Sequence, residues 1–153
     1  MNILEFLSMV WLSDRMVPFI KEYHPKWRDE PNQKLYEYLA WHTGKNTLAV
    51  DFQGEEIYGV CAIKLFDNLE DFMDPRAFNP TGKFCMVDLL VAVSPCAIAV
   101  CFEKLFATWG PQKIMLWDRG ERTENGAPRM YTWDMYMKLT KRLTYGLVDK
   151  KEN

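Results

Sequence analysis

The chain carries no surplus of positive charge: 19 Lys and Arg stand against 21 Asp and Glu, for a net charge of −2. Without a basic excess the surface has no electrostatic footing for nucleic acid or an anionic membrane, so neither is expected as a partner. No apolar stretch reaches the ~18 residues a membrane helix needs. The opening MNILEFLSMVWLSDR has no basic residue ahead of its apolar positions and carries Glu5 among them, so it does not read as a signal peptide. Cysteine is scarce, and Cys61, Cys85, Cys96 and Cys101 show no C-x-x-C spacing. They read as buried free thiols in a reducing compartment, which makes the cytoplasm the expected location. His24 and His42 have no second ligand three or four residues away, so no metal site is expected. Repeats, low-complexity tracts and linkers are missing too. Residues 1–153 read as one domain, long enough to bury roughly 68–70% of the surface of its unfolded chain.

What the chain does have is aromatic side chains: 6 Trp, 7 Tyr and 9 Phe. Such residues are core material first and interface anchors second. Apolar residues recur at helical spacing over Ile3–Tyr23, with Pro18 expected to break or kink the helix. A polar, proline-bearing loop follows, and a short helix is expected over Gln33–His42, closed by Gly44-Lys45-Asn46. The period then switches to two. Thr47–Phe52 and Ile57–Phe66 read as strands joined by a hairpin turn at Gln53–Glu56. Asp67–Gly82 is the longest irregular stretch, and a connection of that length is more often functional than inert.

The most informative segment is Lys83–Gly110, KFCMVDLLVAVSPCAIAVCFEKLFATWG. Phe84–Val93 is the near-continuous apolar run of a strand buried on both faces. Ser94 suits a helix N-cap and Pro95 the first helical position, so a helix is expected over Cys96–Trp109, stopped by Gly110-Pro111. A strand at Lys113–Trp117 completes a βαβ crossover. Asp118–Ala127 reads as a salt-linked polar loop with Arg119 and Arg122, and Pro128–Leu143, which holds Arg129, as a last helix. The expected fold is therefore α/β (α+β), a mixed, mostly antiparallel sheet with helices on both faces. Within Phe84–Val93, Val87, Leu89, Val91 and Val93 are expected on one face, Leu90 and Ala92 on the other. Ile98, Cys101, Phe102 and Leu105 should point inward from the crossover helix.

This order of elements resembles the GNAT acetyltransferase superfamily over roughly Thr47–Leu143. Gln53–Lys64, QGEEIYGVCAIK, looks like that family's hairpin, with Gly59 just after the strand start. Val93-Ser94-Pro95 is similar to its V-x-P at the end of the fourth strand, and Tyr136-Met137-Lys138-Leu139 lies where the family often has a Tyr. The resemblance implies an acetyl-CoA site in the turn after Val93 and Pro95, where the family carries R/Q-x-x-G-x-G/A. Here those positions are Ile98, Ala99, Val100, Cys101, Phe102 and Glu103, with no glycine and no basic residue. Backbone cannot approach a pyrophosphate past such side chains, and Glu103 repels it. Only a convergence of Arg119, Arg122 and Arg129 on the strand end would restore the charge.

If the chain is an enzyme, Tyr136 is the implied acid for the departing thiolate, and Asp88, a carboxylate in mid-strand, the candidate base. The sequence leans away from an enzyme. In size, aromatic richness and lost loop it resembles the degenerate GNAT-like head-assembly and virion-associated proteins of tailed bacteriophages. That resemblance implies a soluble protein acting by protein–protein contacts in virion assembly, in the host cytoplasm or on the virion, with no cofactor. The alternative is an acetyl-CoA-dependent N-acetyltransferase with an atypical pyrophosphate loop; a third possibility is a small-molecule binder that uses the same cleft without transfer. Candidate contact residues are Trp11 and Met16 on the first helix, and Phe72, Met73 and Phe78 in the long loop.

Overall fold

The computed structural model describes residues 2–110, 114–122 and 128–131. Three helices come first: α1 (Ile3–Tyr23), α2 (Pro25–Arg28) and α3 (Asn32–Gly44). Strands β1 (Leu48–Gln53) and β2 (Glu56–Phe66) form an antiparallel hairpin, and β3 (Phe84–Ala92) runs antiparallel to β2. Helix α4 (Pro95–Trp109) then carries the chain across to β4 (Ile114–Arg122), which lies parallel to β3, and β5 (Pro128–Tyr131) pairs antiparallel with β4. The sheet is open and mixed, in the order β1-β2-β3-β4-β5.

Both faces of the central strands are covered, which is why β2 and β3 read as unbroken apolar runs. On one face α4 packs Ile98, Cys101, Phe102 and Leu105 onto Ile63, Leu65, Cys85 and Val87. On the other, Met16, Val17 and Ile20 of α1 and Leu35 and Leu39 of α3 cover Val60, Ala62, Leu89 and Val91. A smaller cluster of Phe66, Phe84, Met86 and Leu116 closes the lower end of the sheet. Ser94 caps α4, its Oγ accepting the Ala97 N–H at 3.2 Å, with Pro95 at the first helical position.

Several expectations need correction. Pro128–Tyr131 is strand, not the start of a helix, because its backbone groups are taken by β4; residues 132–143 lie outside the described residues. Asp118–Arg122 belongs to β4 rather than to a loop, and residues 123–127 lie outside the described residues. Helix α1 runs through Pro18 without a break, held by the buried Met16, Val17 and Ile20 around it, while Pro18 itself is exposed. Met16 is thus core and not a contact residue. Cys96 is exposed on the first turn of α4, unlike the other three cysteines.

The alternation expected along β3 also fails, for a local reason. Ala62 pairs with Leu89 but Ile63 pairs with Val87, so β3 has one residue more than β2 at Asp88. This β-bulge resets the side-chain phase. Val87 faces α4, whereas Leu89 and Val91 face α1 and α3. Val93 lies beyond the strand and is only half-buried.

Gly82 marks a close approach of the loop to β2: a Cβ there would lie 2.6 Å from the Phe66 carbonyl carbon. Backbone cannot give way as a flexible side chain does, so Gly82→Ala is expected to cost ~1–3 kcal/mol by overpacking. Leu89→Ala, at a position 1% exposed, should cost ~2–5 kcal/mol by leaving a cavity. Urea denaturation followed by circular dichroism checks both, and a loss below ~1 kcal/mol for Leu89→Ala, typical of surface sites, would mean that β3 is not central.

Candidate functional site

Asp88 shares the face of Met86, two residues before it, and the bulge brings Leu89 round to that same side. Asp88 lines a cavity of about 450 Å³ between the sheet, α2, α3 and the short 3₁₀ helix Leu69–Met73. Its side chain is 28% exposed. Parallel pairing of β3 with β4 covers Phe84–Val87 against Ile114–Trp117 and goes no further. The outer edge of β3 is therefore unpaired from Asp88 onwards among the described residues.

Helix α3 supplies the partners. Tyr38 and His42 are one turn apart on its inward face, beside the buried Leu35 and Leu39. The Tyr38 hydroxyl donates to Asp88 Oδ2 at 2.5 Å, a charge-assisted bond between residues fifty apart in sequence. Burial first, and then the Asp88 carboxylate, push the Tyr38 pKa well above its usual value, so the phenol stays protonated as the donor.

His42 sits behind this pair. Its Nδ1 is hydrogen-bonded to Thr47 Oγ1 at 2.7 Å, and its Nε2 is 3.9 Å from Asp88 Oδ2. Burial pushes its pKa down to about 4, which outweighs the upward pull of Asp88 and is assisted by the Lys64 charge. The ring is neutral at pH 7, so the contact with Asp88 is not an ion pair. The Thr47 hydroxyl donates to the His42 backbone carbonyl at 3.3 Å, which ties α3 to the residue just before β1.

Lys64 of β2 and His24 complete the polar set. Lys64 is 3% exposed, and its ammonium donates to the Phe72 carbonyl at 2.8 Å. His24 Nδ1 is buried and has no hydrogen-bond partner among the described residues. Burial, and then Lys26, lower its pKa, so it too is neutral at pH 7. Trp27, Tyr38, Trp41 and Phe72 form the walls. The arrangement presents a carboxylate, held by a phenol, at the floor of an aromatic-lined pocket. It can accept a proton or a hydrogen bond from a small molecule there.

Of the residues singled out from sequence, Asp88, Phe72 and Met73 line this pocket. Tyr136 lies outside the described residues. Ile98, Cys101 and Phe102 are buried on the opposite face of the sheet, Val100 is half-buried, and Ala99 and Glu103 are exposed. These positions lie within α4 and not in a loop, because the helix begins at Pro95, directly after Val93 and Ser94. Trp11 is exposed and meets Phe52 edge-on at 6.2 Å. Met73 is 67% exposed, but Phe72 is half-buried beside the pocket and Phe78 sits between the rings of Trp41 and Trp109. The three are not exposed together. Tyr38 and Lys64 escaped sequence reasoning, although a lysine inside an apolar strand was a signal for Lys64, and His24 and His42 were weighed there only as metal ligands.

Among the described residues no group of His, Cys, Asp and Glu is placed to hold a metal ion. None of their helices is long and apolar enough to cross a membrane. Comparison with models of known families, with curated proteins and with solved structures finds no match.

The buried neutral His42 makes stability depend on pH with a defined sign. Its folded pKa of about 4 lies below the unfolded 6.5, so the unfolded chain takes up the proton first. The contribution is full above pH 6.5 and is lost as pH falls from 6.5 towards 4, on the order of 3 kcal/mol. Denaturation of wild type and His42→Gln across this range checks it: the variant should lose less stability between pH 7 and pH 4. Equal slopes would place the titration elsewhere.

Proposed function

We propose that this is a GNAT-like protein that works through protein–protein contacts in an assembly, of the kind found in the virions of tailed bacteriophages, rather than by acyl transfer. The observation that carries this reading is a row of exposed apolar side chains on α1. Ile3, Leu4, Leu7, Val10 and Trp11 recur at helical spacing, and Ile3 and Leu4 are 73% and 72% exposed. Phe52 extends the row onto β1. A stripe of this size, outside the sheet's own core, marks a surface that is covered by something else.

The start of α4 supports the non-enzymatic half of the reading. A phosphate bound there would need free N–H groups and room for backbone contact. Ser94 Oγ already takes the Ala97 N–H, and Ile98, Cys101 and Phe102 are committed to the core. A Cβ on Gly59 would lie 3.0 Å from the Ala97 Cβ, so the first turn is seated tightly on β2. A second reading, N-acetyltransfer, is favoured by one observation: Asp88 stands at the cavity where β3 and β4 stop pairing, and there it would serve as the base for an amine.

Two measurements decide between them. Acetyl-CoA at 100 times a micromolar dissociation constant would add about 2.7 kcal/mol of stability. The expected result is no rise in melting temperature; a rise together with release of free thiol in the presence of an amine promotes the enzyme. Replacing Leu4, Leu7 and Trp11 together by Ser should change stability by no more than about 0.5 kcal/mol per site, as surface changes do. The same variant should fail to co-sediment with assembled particles, and retention on the particle counts against the contact surface.

A further inference from the structure

Asp88 is an exposed residue that lines the cavity between sheet and helices, so a ligand entering from solvent can reach its carboxylate. Oδ2 already accepts the Tyr38 hydroxyl at 2.5 Å, which ties the carboxylate to α3. Among the described residues Oδ1 has no hydrogen-bond partner. A carboxylate offers about four acceptor positions, so two further donors side by side still fit.

The surrounding charges limit what carries those donors. Lys64 lines the same cavity but is not open to a ligand, since it is buried and its ammonium donates to the Phe72 carbonyl. Its charge stays in place and opposes a cation settling beside Asp88. The exposed Lys26, Lys34 and Arg76 add to it, against Glu30 and Glu37. An anion is opposed by Asp88 itself, whereas a neutral donor meets neither penalty. The walls specify shape. Tyr38, Trp41 and Phe72 are half-buried rings lining the cavity, and Trp27 packs on Tyr38 with 5.0 Å between ring centroids. Such rings favour a flat partner that can stack on them or meet them edge-on. The volume, about 450 Å³, lies at the small end of the range for small-molecule sites, roughly 300–1,000 Å³.

We propose that this cavity binds a neutral, planar heteroaromatic ring whose edge carries a ring N–H beside an exocyclic amino group, the edge that a guanine base presents. The two donors point the same way and match the two oxygens of the Asp88 carboxylate, while the ring lies among the aromatic walls. This inference is independent of the α1 surface and of the behaviour of acetyl-CoA.

Titration calorimetry on the wild-type chain tests this with guanosine, inosine and benzamidine as probes. Inosine keeps the ring N–H and lacks the amino group; benzamidine keeps a two-donor edge on an aromatic ring but is a cation. Guanosine should bind at least about tenfold more tightly than inosine, as the loss of one hydrogen bond to a charged acceptor requires. It should also bind more tightly than benzamidine. Asp88→Asn keeps an acceptor for Tyr38 and turns one acceptor oxygen into a donor. In it, guanosine should weaken by about tenfold or more. The proposal is overturned if guanosine gives no binding up to about 1 mM, if inosine or benzamidine matches it, or if Asp88→Asn binds guanosine as the wild type does.

Discussion

One extra residue in β3 shapes both the core and the candidate site. Strands β2 and β3 are the central pair, and their register is whole except where Ala62–Leu89 gives way to Ile63–Val87. A strict alternation would have sent Asp88 to one face and both its neighbours to the other. The bulge instead lets Asp88 and Leu89 share the helical side of the sheet, one at a cavity and one in the core. A carboxylate in the middle of a buried strand is costly unless it is paired or wetted. Here Asp88 stands at a partly open position beside Met86, and Tyr38 supplies the hydrogen bond.

The two faces of the sheet then divide the work. The α4 face is mostly apolar, with Cys61, Cys85 and Cys101 buried between sheet and helix and the buried Asp51 of β1 beside Cys101. Burial pushes the Cys101 thiol up to about 12, so it is inert packing material at pH 7. Most of the buried polar side chains collect on the opposite face, where α3 lies across the sheet. His42, Thr47 and Lys64 are all buried there, each with a hydrogen-bonded partner, as the low dielectric of the interior requires. At the centre of this group the Tyr38 phenol and the Asp88 carboxylate are the hydrogen-bonded pair, and removal of the carboxylate leaves the phenol without this acceptor.

Outside that cluster the surface is asymmetric. The edge strand β1 is guarded by α4: Lys104 donates to the Val50 carbonyl at 2.7 Å, and Trp109 Nε1 to the Asn46 carbonyl at 2.9 Å. Strand edges invite pairing with other chains, and these bonds occupy acceptors that such pairing would use. Among the described residues the amino-terminal turns of α1 have no comparable cover, and Ile3, Leu4 and Leu7 are exposed. The molecule closes one route to association and leaves another open.

Local chemistry was enough to read the bounds of α1, the Ser94 cap, the Pro95 start of α4 and the two parallel strands flanking it. Each depends on residues within a turn or two of one another, or on an apolar run long enough to need cover on both sides. The sequence also pointed to Asp88, because a charge inside VDLLVAV stands out against its neighbours. It did not disclose the Tyr38 partner, fifty residues away, nor the bulge, which exists only by reference to β2. Pro128–Tyr131 was misread for a similar reason: helical spacing of apolar residues says nothing about a neighbouring strand whose free edge can take the backbone. Which residues form an element was largely decided within the segment. Which of them meet at a site was decided by pairing across the sheet and by the helix laid over it, interactions that no local window contains.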